Sequence, residues 1–239
     1  MNIKYIILIL VGAIISPTSN GQLRYPTGLI NVNTNPGGIA EQIVPMISTS
    51  NLNAYIDEGW KLGTIFFENG DRLAKVPLRY DLVNSQLEIK IEGKIRVAPG
   101  KLLNAFEWHE ELSGVKRYFV RNSFFENAEE YAQGFYELIN EGDINILRYY
   151  NYERLKPNYN PALDVGSRTA SITVTEKYYL SIDLRLHSIP KAKKEFFILF
   201  SDKVPDLESK LREAKLSHKK NDDLKEIVKM VNQIISEQG

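Results

Sequence analysis

The chain has 239 residues, in which 30 Lys and Arg balance 30 Asp and Glu, and 43% of the residues are hydrophobic. This composition is typical of a globular protein of about one domain and excludes a disordered or fibrous chain. The balanced charge argues against nucleic-acid binding, which usually needs a concentrated basic surface. Cysteine is absent, which excludes disulfides, a thiol nucleophile, cysteine ligands for zinc and a lipoprotein anchor.

Residues 1–21 have the pattern of a secretory signal peptide. A short positive start, MNIK, precedes an apolar run at residues 5–15, and small side chains follow at Ser19 and Gly21. We therefore expect cleavage after Gly21, and a retained N-terminal anchor helix is the alternative. The apolar run is shorter than the roughly 20 residues that cross a bilayer. The expectation is a protein without a transmembrane span after cleavage, and one that is periplasmic, outer-membrane-associated or secreted.

Residues 22–56 are rich in Asn, Pro, Gly, Ser and Thr, which predicts an irregular N-terminal arm. One short helix is expected in this arm, around residues 39–44. From residue 57 the pattern changes to that of β-strands, and residues 57–186 are predicted to form an antiparallel β domain.

Four β-hairpins are predicted within this domain. Asn69 and Gly70 form the turn of the first, which is the strongest short hairpin pattern. Further turns are predicted at residues 93–94, 112–114 and 141–143. Strands joined by short turns at this spacing indicate a meander of about eight to ten strands, which forms a curled sheet, a sandwich or a barrel. Residues 151–171 are predicted to be a long loop.

After Pro190 the apolar period becomes helical, so residues 187–239 are predicted to be a helical segment that packs on the β domain. The fold class is therefore mainly β with C-terminal helices, an α+β arrangement. The basic residues Lys191, Lys193 and Lys194 precede two phenylalanines. This pattern favours a capping helix whose lysines face water, and peripheral contact with an anionic membrane surface is the alternative.

The segment GWKLGTIFFENGDRLAKVPLRYD resembles a segment of uncharacterised exported proteins of the Bacteroidota. The matching positions are a Gly-Trp pair, the hairpin turn and an Arg-Tyr-Asp triplet: Gly59, Trp60, Asn69, Gly70, Arg79, Tyr80 and Asp81. The helical tail is similar as well, so the resemblance covers roughly residues 57–99 and 195–235. It implies export and a β-rich domain, and it transfers no catalytic residue.

The segment FEWHEEL, residues 106–112, supplies the candidate catalytic residues Glu107, His109 and Glu111. At strand period these three side chains share one face. A zinc-protease pattern would need histidine at position 113, which is Ser113. A three-residue loop would place Arg117 opposite His109, where its charge would disfavour a metal and hold the carboxylates ionised. The segment is therefore interpreted as a structural hairpin, and the alternatives are a metal or catalytic site and a helix.

The chain contains no Gly-x-Ser-x-Gly motif, no phosphate-binding P-loop and no Gly-x-Gly-x-x-Gly motif. We expect no cofactor and no bound metal. The first hypothesis is an exported, non-enzymatic protein that interacts with an unknown protein or envelope component. The alternatives are a hydrolase whose site includes the three candidate residues, and a carrier whose β-barrel encloses an apolar ligand.

Overall fold

A computed structural model of the chain describes residues 43–45, 54–110, 112–159, 163–166 and 168–238. The strands are β1 (Val44–Pro45), β2 (Lys61–Phe67), β3 (Arg72–Asp81), β4 (Gln86–Ile91), β5 (Lys94–Pro99), β6 (Leu103–His109), β7 (Lys116–Arg121), β8 (Phe135–Leu138), β9 (Ile144–Leu155), β10 (Ser171–Ile182) and β11 (Arg185–Ser188). The helices are α1 (Lys193–Ile198), α2 (Leu207–Glu213) and α3 (Asn221–Gln238).

The described strands form one sheet in the order β1-β5-β4-β3-β2-β6-β7-β8-β9-β10-β11, and every neighbouring pair is antiparallel. The chain is a meander in two blocks, β2–β5 and β6–β11, which join through β2 and β6. The predicted mainly β fold with C-terminal helices is therefore confirmed. The predicted hairpin turn at Asn69 and Gly70 is also present, and Gly70 has a φ of +86°, which glycine adopts at no steric cost.

Two local predictions need correction. The predicted loop at residues 151–171 is shorter, because β9 continues to Leu155 and β10 begins at Ser171, where the two residues pair. The aromatic side chain of Tyr152, near the start of the predicted loop, favours this extension of β9. The short helix expected around residues 39–44 is not seen at Val44, which belongs to β1. The signal peptide and most of the predicted arm lie outside the described residues.

The sheet curls around its inner face, which we define as the face that carries Phe106, Trp108 and Phe119. The Tyr80 ring on β3 lies 5.4 Å from the Phe135 ring on β8, although three strands separate β3 from β8 in the sheet. In a flat sheet with a spacing of about 4.8 Å these strands would lie roughly 19 Å apart. The curl therefore surrounds an aromatic core in which Phe106, Trp108 and Phe119 are fully buried.

The opposite, outer face of the sheet carries a second apolar cluster, which includes Tyr118, Val120 and Tyr136. The segment after β7 covers this cluster and places Phe125 in it. This segment contains two short 3-10 turns, at Asn122–Phe124 and Ala128–Glu130. The sheet is therefore packed on both faces, as its many buried aromatic residues require.

The helices lie on the inner face, at the end of the sheet where β9 begins and β10 ends. The strands contribute Ile144, Ile146, Leu180 and Ile182 to the shared cluster. The helical region contributes the other buried side chains, namely Phe196, Phe200, Val204, Leu207, Leu211, Leu224, Ile227, Val228 and Val231. The predicted packing of apolar helix positions on the sheet is therefore present along α1, α2 and α3.

An asparagine side chain joins α3 directly to the first residue of β9. The Oδ1 atom of Asn232 accepts a hydrogen bond from the Ile144 N–H at 2.8 Å, and its Nδ2 atom donates to the Ile144 carbonyl at 2.8 Å. The Asn232 amide thus takes the place of a neighbouring strand at this residue.

A second asparagine has the same role at the β11 edge of the sheet. The Oδ1 atom of Asn127 accepts a hydrogen bond from the Leu186 N–H at 2.8 Å, and its Nδ2 atom donates to the Leu186 carbonyl at 3.0 Å. Asn127 belongs to the segment that covers the outer face, so one segment packs on that face and also pairs with the edge strand.

Candidate functional site

The hairpin of β6 and β7 has a different register from the predicted one. Trp108 lies opposite Arg117, and His109 lies opposite Lys116. The loop between the paired residues contains four residues, 111–114, where three were predicted. Because side chains alternate with a period of two, this shift of one residue moves Arg117 to the inner face. The prediction that Arg117 lies opposite His109 is therefore wrong.

The described candidate catalytic residues, Glu107 and His109, lie on the outer face of β6. The Lys116 Nζ atom lies 2.6 Å from the Glu107 Oε2 atom, and His109 is exposed to solvent. The third candidate, Glu111, lies outside the described residues. A carboxylate that is paired with a lysine on the neighbouring strand is typical of a structural hairpin.

On the inner face, charged side chains of alternating sign run across the strands from β2 to β10. We call this set the charge row, and it consists of Lys61, Glu110, Arg117, Glu137, Arg148 and Glu176. Successive members are joined by salt bridges of 2.9, 3.1, 2.8, 2.8 and 3.4 Å. The charge row crosses the inner face between the aromatic core and the cluster that the helices cover.

Glu137 is the centre of the charge row, and its side chain is only 4% exposed. The Arg117 guanidinium donates to both carboxylate oxygens, from Nε at 2.8 Å and from Nη2 at 2.9 Å. Arg148 Nε donates to Glu137 Oε2 at 2.9 Å, and the Tyr150 hydroxyl donates to the same oxygen at 2.7 Å. This carboxylate therefore has two cations and a phenol as partners in a nearly buried position.

The surroundings displace the pKa values of Glu110 and Arg117 in the charge row and that of the adjacent Tyr150. Burial raises the pKa of Glu110, but hydrogen bonds from Lys61 and Arg117 outweigh burial and lower this pKa to about 2. Burial lowers the pKa of Arg117, but the hydrogen bonds and charge of Glu137 raise it above its usual value. Burial, together with the Glu137 charge, raises the pKa of Tyr150 above its usual range.

These pKa shifts limit the chemistry of the charge row. A general acid or base works best when its pKa lies near the working pH, whereas the pKa values of Glu110, Arg117 and Tyr150 are all displaced away from neutrality. The arrangement is that of a set of paired charges that join five strands of the sheet and Glu110, the residue that follows β6. It was not predicted from the sequence, and the one signal available was a glutamate inside the otherwise apolar strand FYEL.

A second buried glutamate lies on the outer face, between β3 and β4. Glu88 is fully buried; it accepts a hydrogen bond from the Tyr55 hydroxyl at 3.0 Å and another from Arg79 Nε at 2.8 Å. The Arg79 guanidinium also lies over the Tyr55 and Trp60 rings, at 4.0 and 4.6 Å from their centres. Trp60 and Arg79, two of the residues that carry the resemblance stated above, thus have a packing role.

The third charged region lies around α1 and consists of lysines. We call Lys191, Lys193, Lys194, Lys219 and Lys220 the lysine patch, and all five are exposed. His218 places the last two beside α1, because its ring stacks on the buried Phe196 ring at 4.6 Å. Ile198, at the end of α1, is 60% exposed. Lys193 and Lys194 line one surface depression together with Ile198, so cationic and apolar side chains lie side by side there.

Within the described parts of the chain, no group of three or more His, Asp or Glu residues is arranged to hold a metal ion. None of the described helices is both long enough and apolar enough to cross a membrane. Comparison with protein-family models, with curated proteins and with solved structures found no match to this chain.

Proposed function

We propose that this protein is exported and acts without catalysis at the cell envelope, where the lysine patch contacts an anionic membrane surface. The observation that carries the proposal is the lysine patch itself, with the exposed Ile198 beside it. Lysines near an anionic bilayer are attracted to it, and an adjacent apolar side chain can enter the headgroup region.

The charge distribution supports this contact. The whole chain has no net charge, but residues 190–220 contain nine Lys or Arg and five Asp or Glu. Lys193 forms a salt bridge with Glu208 at 3.1 Å. Within the described residues, no carboxylate lies within salt-bridge distance of the other four lysines of the patch. The patch therefore presents positive charge that its own surroundings do not neutralise.

Two further observations favour a role without catalysis. The charge row is held by internal pairs, in which the pKa values of Glu110 and Arg117 are displaced from neutrality, and Glu107 is paired with Lys116. The inner face of the curled sheet is filled by aromatic side chains that are fully buried. This packing gives no support to the alternative of a carrier that holds an apolar ligand inside the sheet.

Export is proposed from the signal-peptide pattern of residues 1–21 and from the resemblance to exported proteins of the Bacteroidota. Sequencing of the N-terminus of protein isolated from the envelope fraction tests it. The expected first residue is Gln22, and recovery of a chain that still begins at Met1 would contradict cleavage.

Sedimentation of the mature protein with phospholipid vesicles tests the membrane contact. We expect binding to vesicles that contain phosphatidylglycerol, little binding to pure phosphatidylcholine vesicles, and weaker binding as salt is added. One variant combines Lys191→Gln, Lys194→Gln, Lys219→Gln and Lys220→Gln, and each of these substitutions should weaken binding by about fivefold, because a lysine near an anionic surface contributes about 1 kcal/mol.

The matched control replaces four exposed lysines elsewhere on the surface, namely Lys94, Lys156, Lys177 and Lys229. This variant has the same change in net charge but keeps the lysine patch. Equal loss of vesicle binding in both variants would show that net charge alone is responsible and would contradict the proposed contact surface.

A further inference from the structure

Two troughs lie on either side of α1, and they differ in chemistry. The first has a volume of about 440 Å³ and is lined by five apolar side chains, Phe197, Ile198, Val204, Pro205 and Leu207, with Lys193, Lys194, Ser201 and Glu208 among them. We call it the apolar trough. The second, with a volume of about 300 Å³, is lined by three cations, Lys193, Arg212 and Lys219, together with Ser217, His218 and apolar side chains. We call it the cationic trough.

The two troughs meet at one ridge of α1. Lys193 and Phe197 line both of them, and the Lys193 ammonium lies 5.4 Å from the centre of the Phe197 ring. A ligand that crosses this ridge would therefore contact both troughs at once.

The cationic trough has more positive than negative charge. No carboxylate is among its lining residues. Two carboxylates lie beside it: the Glu208 Oε1 atom lies 3.1 Å from Lys193 and 3.6 Å from Arg212, and the Asp223 Oδ2 atom accepts a hydrogen bond from the Ser217 N–H at 2.9 Å. One carboxylate is thus shared by two cations, and Lys219 adds a third positive charge. This trough suits an anionic group such as a phosphate.

The apolar trough suits a hydrocarbon chain. Ile198 is 60% exposed and Phe197 is partly exposed, so burial of either side chain by a ligand would be favourable. The volume lies within the range of known small-molecule sites, about 300–1,000 Å³. Both troughs belong to one surface, and this surface is also the one that carries the lysine patch.

We propose that the two troughs bind one molecule of an anionic amphiphile, with its phosphate in the cationic trough and its hydrocarbon chain in the apolar trough. This inference rests on the proposed membrane contact and names its ligand. The amphiphile can come from a bilayer or from solution, since both sources present the same phosphate and chain.

Isothermal titration calorimetry with hexyl, octyl and decyl phosphate, each below its micelle concentration, tests the site. We expect affinity to rise about fourfold for each added methylene that enters the apolar trough. Alkyl trimethylammonium ions of the same chain lengths should bind at least tenfold more weakly, because the cationic trough repels them. Affinity that does not depend on chain length, or equal binding of the two head groups, would overturn the proposal.

Substitution of an exposed residue in the apolar trough distinguishes binding in the trough from general attraction to the surrounding lysines. Ser201→Trp should fill the apolar trough, keep every lysine, and weaken decyl phosphate binding at least tenfold. Ser236→Trp on α3 is the matched control, because both serines are exposed and both hydroxyls donate to the carbonyl three residues earlier. Equal weakening in the two variants would contradict the assignment.

Removal of a negative charge beside the cationic trough should strengthen alkyl phosphate binding. Glu208→Gln removes the carboxylate that Lys193 and Arg212 share, so we expect all three alkyl phosphates to bind several-fold more tightly. Unchanged or weaker binding would contradict a phosphate in the cationic trough.

Vesicle sedimentation of the same variants distinguishes this inference from the proposed function. Vesicle binding without alkyl phosphate binding would leave the membrane contact in place and overturn the trough site. Alkyl phosphate binding without vesicle binding would support a site for free amphiphiles and overturn the membrane contact. Loss of both would overturn both.

Discussion

Glu137 has more charged and hydroxyl partners than any other carboxylate described above, and it is nearly inaccessible to water. Arg117 and Arg148 both donate to it, and Tyr150 donates as well. A partly buried guanidinium whose carboxylate is removed keeps its desolvation cost and loses the attraction that offset it. At the scale of single residues, Glu137 is therefore the side chain whose loss should affect stability most within the charge row.

We expect Glu137→Leu to reduce the free energy of unfolding by roughly 3–5 kcal/mol, measured by urea denaturation. The control is Glu176→Gln at the exposed end of the same row, where the side chain is 41% exposed and the expected loss is at most about 1 kcal/mol. A similar loss of unfolding free energy in the two variants would show that burial does not determine how much these charges contribute to stability.

At the scale of elements, the attachment of α3 to β9 depends on one amide. Removal of the Asn232 side chain leaves the N–H of the fully buried Ile144 without its side-chain partner, whereas the Ile144 carbonyl keeps a hydrogen bond from the Asn140 Nδ2 atom at 2.9 Å. Asn232→Ala should therefore lower the free energy of unfolding, measured by urea denaturation, by about 1–3 kcal/mol. Gln233→Ala, an exposed neighbour on the same helix, should change stability by less than about 0.5 kcal/mol. Equal effects would contradict a specific role for the amide.

The β6–β7 hairpin shows which structural features local sequence patterns predict in this chain and which they do not. Period-two alternation predicts β6, and aromatic and β-branched side chains predict β7, which buries residues on both faces. The register depends on whether the loop holds three or four residues, and FEWHEELSGVKRY suits both lengths. The charge row depends in addition on the pairing of β2 with β6, which no local turn specifies. Sequence patterns therefore predict the strands and the helices, whereas the contacts between distant strands require the sheet order.

At the scale of the whole molecule, the helices and the sheet share one apolar cluster. Ile146 and Leu180 of the strands pack with Ile227 and Val231 of α3, and the charge row adjoins this cluster on the same face. A separately stable helical segment would have to bury these helix side chains without the strands. We therefore expect the helices and the sheet to unfold together.

A fluorophore on Ser236→Cys would report on α3, and the absence of other cysteines makes the label specific. The intrinsic fluorescence of Trp108 and Trp60 reports on the sheet. The two signals should give the same urea midpoint. An earlier transition of the label would show that the helices detach first and would contradict a single cooperative unit.

The Asn127 amide has a consequence for how molecules of this protein meet each other. A free strand edge is a template on which another chain can add a strand. At β11 the outward N–H and carbonyl of Leu186 are already occupied by Asn127, so an incoming strand cannot pair with Leu186. One side chain thus terminates the sheet at this edge and keeps strand pairing from spreading from one molecule to the next.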